Sequence, residues 1–302
     1  SGKLGGKRCA FAAGTIVAAH PLAVQGMLIF DRDTAIMGPA LLGLVLICAG
    51  LPGRPRVSVP TGAVLFALFL GMKLSTPLLF AAAMLLLCAV SRRWRPWLPH
   101  YALMFTAGTL LFMAAWWLIA QACDLSFAQP FAYAGERGAR AGVLERGPID
   151  LLLRNALGLG SWFSPFTLAV IVFAGIRYIK GQVRSRLEDV VWAGLAGVGS
   201  YFFIAEIDFG FPKYYVPAAG LAAVVLAREV ERYWECISRR WIAMSLALVM
   251  PVCMLFDPVF FARVTLRHAL AMGKGLASVP VPALILLAAP AVACLVLWVR
   301  TR

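Results

Sequence analysis

The sequence predicts an all-α, polytopic membrane protein of about ten transmembrane helices, with further helices lying along the outer membrane boundary. Three observations lead there. Hydrophobic residues make up 62% of the 302 and charged residues only 14%, whereas a soluble domain carries about 45–50% and ~25%. Apolar stretches of about 16–22 residues recur along the chain, and roughly 17–25 are needed to cross a ~30 Å hydrocarbon core as helix. Basic residues punctuate these stretches instead of interrupting them. The mean hydropathy of +0.84 excludes a disordered chain and a small disulfide scaffold.

The predicted spans are 10–29, 34–52, 58–73, 75–91, 99–121, 161–178, 189–206, 214–228, 240–257 and 279–299. Only Leu74 separates the third from the fourth, so the two form a tight helical hairpin. An even number of spans leaves both termini on one side. Lys and Arg are retained on the cytoplasmic side of short loops, and with the N-terminus inside, 18 of the 28 basic residues fall within. Nine of the 14 acids (Asp31, Asp33, Asp124, Glu136, Glu145, Asp150, Glu206, Asp208 and Asp257) fall outside. The inner face reads mostly as an anchor, and the outer face carries charges of both signs. In a soluble protein the net charge of +14 would point to nucleic acid; here it is accounted for by cytoplasmic loops, and no nucleic-acid partner is expected.

The chain opens Ser1-Gly2-Lys3 and enters its first span almost at once, which reads as a fragment and not as a signal peptide. The seven cysteines are scattered singly with no C-x-x-C, so they read as packing residues. The longest non-spanning segment, 122–160, is an outer loop. In it Pro148 suits the first turn of an amphipathic helix, with Leu151, Leu152, Leu153, Leu157 and Leu159 toward lipid and Asp150, Arg154 and Asn155 toward water. That helix is read either as a connector or as a cover over substrate. The other large outer loop, 257–278, is basic and aromatic, with Phe260, Phe261, Arg263, Arg267, His268 and Lys274. Phosphate gripping and lipid anchoring both explain it.

Motifs for P-loop nucleotide binding, for a serine nucleophile elbow and for zinc proteases are absent. Three outer clusters carry the chemistry instead, each holding ionisable groups at the membrane boundary, where charge is costly without a partner or a task. In Phe30-Asp31-Arg32-Asp33-Thr34, Asp33 opens a helix and reads either as its N-cap or as an acid that positions an acceptor. In Lys73-Leu74-Ser75-Thr76-Pro77, Lys73 either snorkels to the headgroups or neutralises a lipid phosphate. The third, running from Glu206 and Asp208 through Lys213, Tyr214 and Tyr215 to Pro217, places two acids, a lysine and two tyrosines ahead of span eight.

The order His20-Pro21, Asp33-Thr34, Lys73-Leu74-Ser75-Thr76-Pro77 and Lys213-Tyr214-Tyr215-Val216-Pro217-Ala218 resembles the membrane core of GT-C glycosyltransferases. The nearest likeness is to the bacterial branch related to aminoarabinose transferases and protein O-mannosyltransferases. Lys213, Tyr214 and Pro217 match the family's Arg/Lys-Tyr-x-x-Pro helix start, and Asp33 its Asp before an apolar helix. Pro130-Phe131-Ala132-Tyr133 and Ser161-Trp162-Phe163-Ser164-Pro165 are similar to its outer loop and membrane re-entry. The likeness covers about residues 5–230, and its case rests on the order of short motifs.

The resemblance implies one GT-C-type transmembrane domain over residues 1–302, lacking the first helix and first acidic outer loop of the family. It implies a bacterial inner-membrane enzyme whose periplasmic face moves a sugar from a polyprenyl-phosphate donor to a lipid, glycan or protein acceptor. Asp33 and Asp31 would then be the catalytic-side acids, and Arg32, Lys73, Lys213 and Tyr214 would bind substrate. As a fragment without the acidic loop, the chain would lack a general base. Some members use a divalent metal, but no ligand cluster is visible, and His20, His100 and His268 stand apart. A polyprenyl-linked saccharide flippase or exporter, and a non-catalytic membrane scaffold, are the competing readings. A flippase calls for charges in a central cavity, and a scaffold needs none of the three clusters.

Overall fold

A computed structural model describes residues 9–10, 12–14, 16, 37–140, 165–181, 185–201 and 216–232, and these are helical over 89% of their length with no strand. In chain order the helices are α1 (Met37–Gly50), α2 (Pro55–Met72), α3 (Ser75–Val90), α4 (Leu98–Ala122), α5 (Gln129–Arg140), α6 (Pro165–Ile179), α7 (Arg186–Gly199) and α8 (Val216–Arg232). Short 3₁₀ turns at Leu51–Gly53 and Arg95–Trp97 precede α2 and α4. The class is therefore all-α. The predicted spans 34–52, 58–73, 75–91, 99–121, 161–178 and 214–228 each coincide with a helix to within about four residues, and span 189–206 overlaps α7, with 202–206 outside the described residues. Most of span 10–29 and all of spans 240–257 and 279–299 lie outside the described residues, as does the amphipathic stretch from Pro148 to Leu159.

Proline and turn chemistry set the boundaries. Pro55 occupies the first position of α2, where its missing N–H is lost at no cost. Between α2 and α3 only Lys73 and Leu74 are non-helical, giving the predicted hairpin. At its end α4 turns over through Asp124, whose φ of 52° lies in the left-handed region that Asp tolerates better than most residues. The Leu125 N–H then donates to the Ala120 carbonyl at 2.8 Å, satisfying a terminal helix acceptor. α5 follows within the predicted loop 122–160, so the described helix of that segment is at 129–140.

The helices pack around one core in which Phe105 of α4 lies 4.9 Å, ring to ring, from Phe66 of α2 and meets Phe80 of α3 edge-on. Small residues allow the closest crossings. A Cβ on Gly108 would sit 2.7 Å from the Ala63 carbonyl oxygen, and one on Gly197 would sit 2.8 Å from that of Leu79. Facing residues give each helix its direction. Gly108 beside Ala63 and Phe66, with Gly62 beside Met104, makes α2 and α4 parallel. Tyr201 beside Thr76, Gly197 beside Phe80 and Asp189 beside Trp94 make α3 and α7 antiparallel. Gly194 beside Leu221 and Glu188 beside Arg228 do the same for α7 and α8. The described helices thus alternate as successive spans require, and their ends gather into two sets, one around Lys73 and one around Asp189.

Large apolar side chains also stand exposed along the described helices. Pro55–Met72 and the segment Arg95–Ala122 are long and apolar enough to cross a membrane, yet only 33% and 17% of them is buried. Leu68, Leu86, Leu103, Leu110 and Val172 each leave more than half of the side chain uncovered.

Candidate functional site

The Lys73 end is built by the turn between α2 and α3 and the C-terminus of α7. Lys73 closes α2 in an extended conformation (φ −160°, ψ 122°), its N–H donating to the Phe69 carbonyl at 3.1 Å. This break in helical geometry lifts its half-buried side chain out of both helices. Behind it lies a set of neutral hydroxyls. The Tyr201 hydroxyl, on a side chain 5% exposed, donates to Ser75 Oγ, and the fully buried Thr76 hydroxyl lies 3.4 Å from the same Tyr201 oxygen. Pro77 is buried beside them, so the turn is pinned to α7 and has little freedom to shift.

Of the six residues singled out for chemistry, Lys73 is described, and Asp31, Arg32, Asp33, Lys213 and Tyr214 lie outside the described residues. The segment 202–215 that contains Lys213 and Tyr214 starts after Tyr201 and ends at Val216, the first residue of α8. Because α8 runs antiparallel to α7, Val216 belongs to the same end of the bundle as Lys73. Chemically, the described part of this end can offer one ammonium group on a rigid turn with hydroxyl support beneath it.

The opposite end is richer in charge than an anchor requires. Asp189, 4% exposed, accepts from Trp94 Nε1 at 2.7 Å and from the Tyr178 hydroxyl at 2.6 Å, and Arg93 lies 3.5 Å away. One carboxylate thereby ties α6 and α7 to the α3–α4 junction. Glu229, also buried, receives Arg177 at 3.1 Å and Arg232 at 2.8 Å. Arg228 pairs with Glu231 at 3.1 Å and approaches Glu188 at 3.8 Å. Ser185 and Glu188 exchange side-chain-to-backbone bonds as a capping box that starts α7.

Sequence reasoning passed over Tyr201, Asp189, Glu229 and their partners. Two signals were available: the Ser-x-x-Glu pattern at Ser185–Glu188 before an apolar run, and the alternating charges of Arg228, Glu229, Glu231 and Arg232 at the close of a span. For Tyr201 no local pattern exists, since its partners lie 125 and 126 residues away.

Among the described residues, no three His, Cys, Asp or Glu side chains converge as metal ligands. His100 is half-buried against Trp97, with ring centroids 5.5 Å apart. Cys9, Cys48 and Cys88 are buried free thiols, and Cys123 is an exposed one. Comparison of the chain with protein-family models, curated proteins and solved structures gives no match.

Proposed function

We propose that the chain is a polytopic membrane glycosyltransferase that takes a sugar from a polyprenyl-phosphate donor, working at the end of the bundle that carries Lys73. The observation that carries the reading is that the Lys73 turn and the described flanks of a second basic motif, Tyr201 and Val216 on either side of Lys213-Tyr214, share one end of the bundle. The bilayer part of the reading is supported by two helices long and apolar enough to cross a membrane and by the exposed apolar side chains along the described helices, which suit lipid.

Glycosyl transfer from such a donor breaks the anomeric C–O bond and leaves the electron pair on phosphate, while the acceptor hydroxyl loses its proton. Two tasks follow: an acid orients or deprotonates the acceptor, and cations stabilise the departing phosphate. In this reading Asp33, with Asp31, serves the acceptor side, and the family's further acidic loop would supply the general base. Lys73, Lys213 and Arg32 bind phosphate, and Tyr214 contributes to the donor site. The acceptor is a lipid, glycan or protein hydroxyl, the active face is periplasmic and both termini are cytoplasmic.

The described charges favour transfer over a flippase, because they stand at helix ends and not along the middle of the bundle. The test is sugar transfer from a polyprenyl-phosphate donor by membranes carrying the wild type, Asp33→Asn, Lys73→Ala and Lys213→Ala. The expected outcome is a loss of at least about tenfold in each variant, the scale of one removed charge-assisted contact. Wild-type rates in all three, assayed in the full-length parent protein, would remove the site, and no transfer by that wild-type parent would remove the activity.

A further inference from the structure

The end around Asp189 holds a cleft between α6, α7 and α8 that the sugar-transfer reading does not use. Its floor is apolar, formed by Ala174, Val191, Trp192, Val224 and Val225, and its rim is ionic. Arg177, Arg228 and Arg232 face Glu188 and Glu229 across it. With Glu231 and the exposed Lys180 and Arg186 at adjoining helix ends, five positive charges stand against three negative ones.

Two of the rim arginines have donors left over. The Arg228 Nε–H is buried and makes no hydrogen bond, its nearest acid oxygen, on Glu188, being 3.8 Å away. Arg232 bonds to Glu229 through Nη1 alone. A guanidinium carries five N–H groups and matches the geometry of a phosphate. An unpaired buried N–H is unfavourable, so an acceptor that reaches this rim is favoured. The neighbouring carboxylates hold the guanidinium groups in place.

Outside the rim, α6 continues as an uncovered apolar strip of Val172, Phe173, Ile176 and Ile179, with the Arg177 guanidinium 5.7 Å from the centre of the Phe173 ring. A ligand that fills the cleft and lies along this strip is anionic at one end and apolar at the other. We infer that the cleft binds the phosphodiester headgroup of an anionic phospholipid, through Arg228 and Arg232, with the acyl chain against α6. The inference rests on the bilayer part of the function proposed above and not on its chemistry.

The experiment uses the full chain reconstituted in phosphatidylcholine vesicles with and without phosphatidylglycerol. Lipid retained on the released protein is read by native mass spectrometry, and hydrogen exchange is followed over 186–192 and 224–232. The expected result is saturable retention of phosphatidylglycerol, preferred about tenfold over phosphatidylcholine, with slowed exchange in both segments. Inorganic phosphate added to phosphatidylcholine vesicles leaves both readings unchanged. The double variant Arg228→Gln, Arg232→Gln binds both lipids alike.

Equal retention of the two lipids by the wild type overturns the inference whatever the variant does, so a variant that fails to fold does not shelter it. Protection by inorganic phosphate alone assigns the cleft to a free anion and overturns the lipid. Preference retained by a folded double variant moves the lipid elsewhere. A chain that inserts into neither vesicle loses the bilayer reading and this inference together, whereas insertion without preference loses this inference alone.

Discussion

The two ends of the bundle are held together by different chemistry. Around Asp189 charge dominates: two buried carboxylates, Asp189 and Glu229, collect four partners closer than 3.2 Å, from the α3–α4 junction, from α6 and from α8 itself. Near Lys73 the buried bonds are between hydroxyls, with Tyr201 joined to Ser75 and Thr76. Buried charge demands complete pairing, since removing one partner strands the other in a poor solvent. Neutral hydroxyls carry a smaller penalty. The ionic end therefore carries the larger share of the fold's stability.

The largest departure from this contrast comes from Asp189→Ala, which strands the Trp94 indole N–H and the Tyr178 hydroxyl. A loss of about 3 kcal/mol is expected, read as a lowered unfolding midpoint in detergent; an unchanged midpoint would remove the ionic end from its structural role. Next comes Gly197→Leu, which drives a side chain into the Leu79 carbonyl on the line joining the two ends. About 2 kcal/mol is the expected loss, in the range for overpacked cores, and full stability would mean that the α3–α7 crossing is looser than it stands here.

The smallest effect on stability, about 1 kcal/mol, belongs to Tyr201→Phe, which removes only the hydroxyl. Here the contrast sharpens, because the pinned turn carries Lys73. Transfer from a polyprenyl-phosphate donor should fall more in Tyr201→Phe than in Asp189→Ala assayed below its midpoint. The reverse order would place the chemistry at the wrong end.

The α1–α4 region was legible almost entirely from the sequence. Apolar length and basic punctuation located its helices, and the break predicted at Leu74 falls in the two-residue turn Lys73-Leu74. The direction of each helix followed from the same count. The polar network around Asp189 was not legible, for a physical reason. Arg177, Glu188, Asp189 and Glu229 stand where span ends are expected to be charged, so each taken singly resembles a group in the headgroups. Only the packing of three helices makes Asp189 and Glu229 buried hubs. Lys73 was found as a residue, but its support by Tyr201 depends on a contact far away in sequence.

Cys123 adds a practical consequence. It follows the last residue of α4, and because α4 runs parallel to α2 it comes out beside the Lys73 end, exposed, whereas Cys9, Cys48 and Cys88 are sealed in packing. With Cys236, Cys253 and Cys294 replaced by serine, a maleimide too polar to cross a bilayer would report from intact cells which compartment that end looks into.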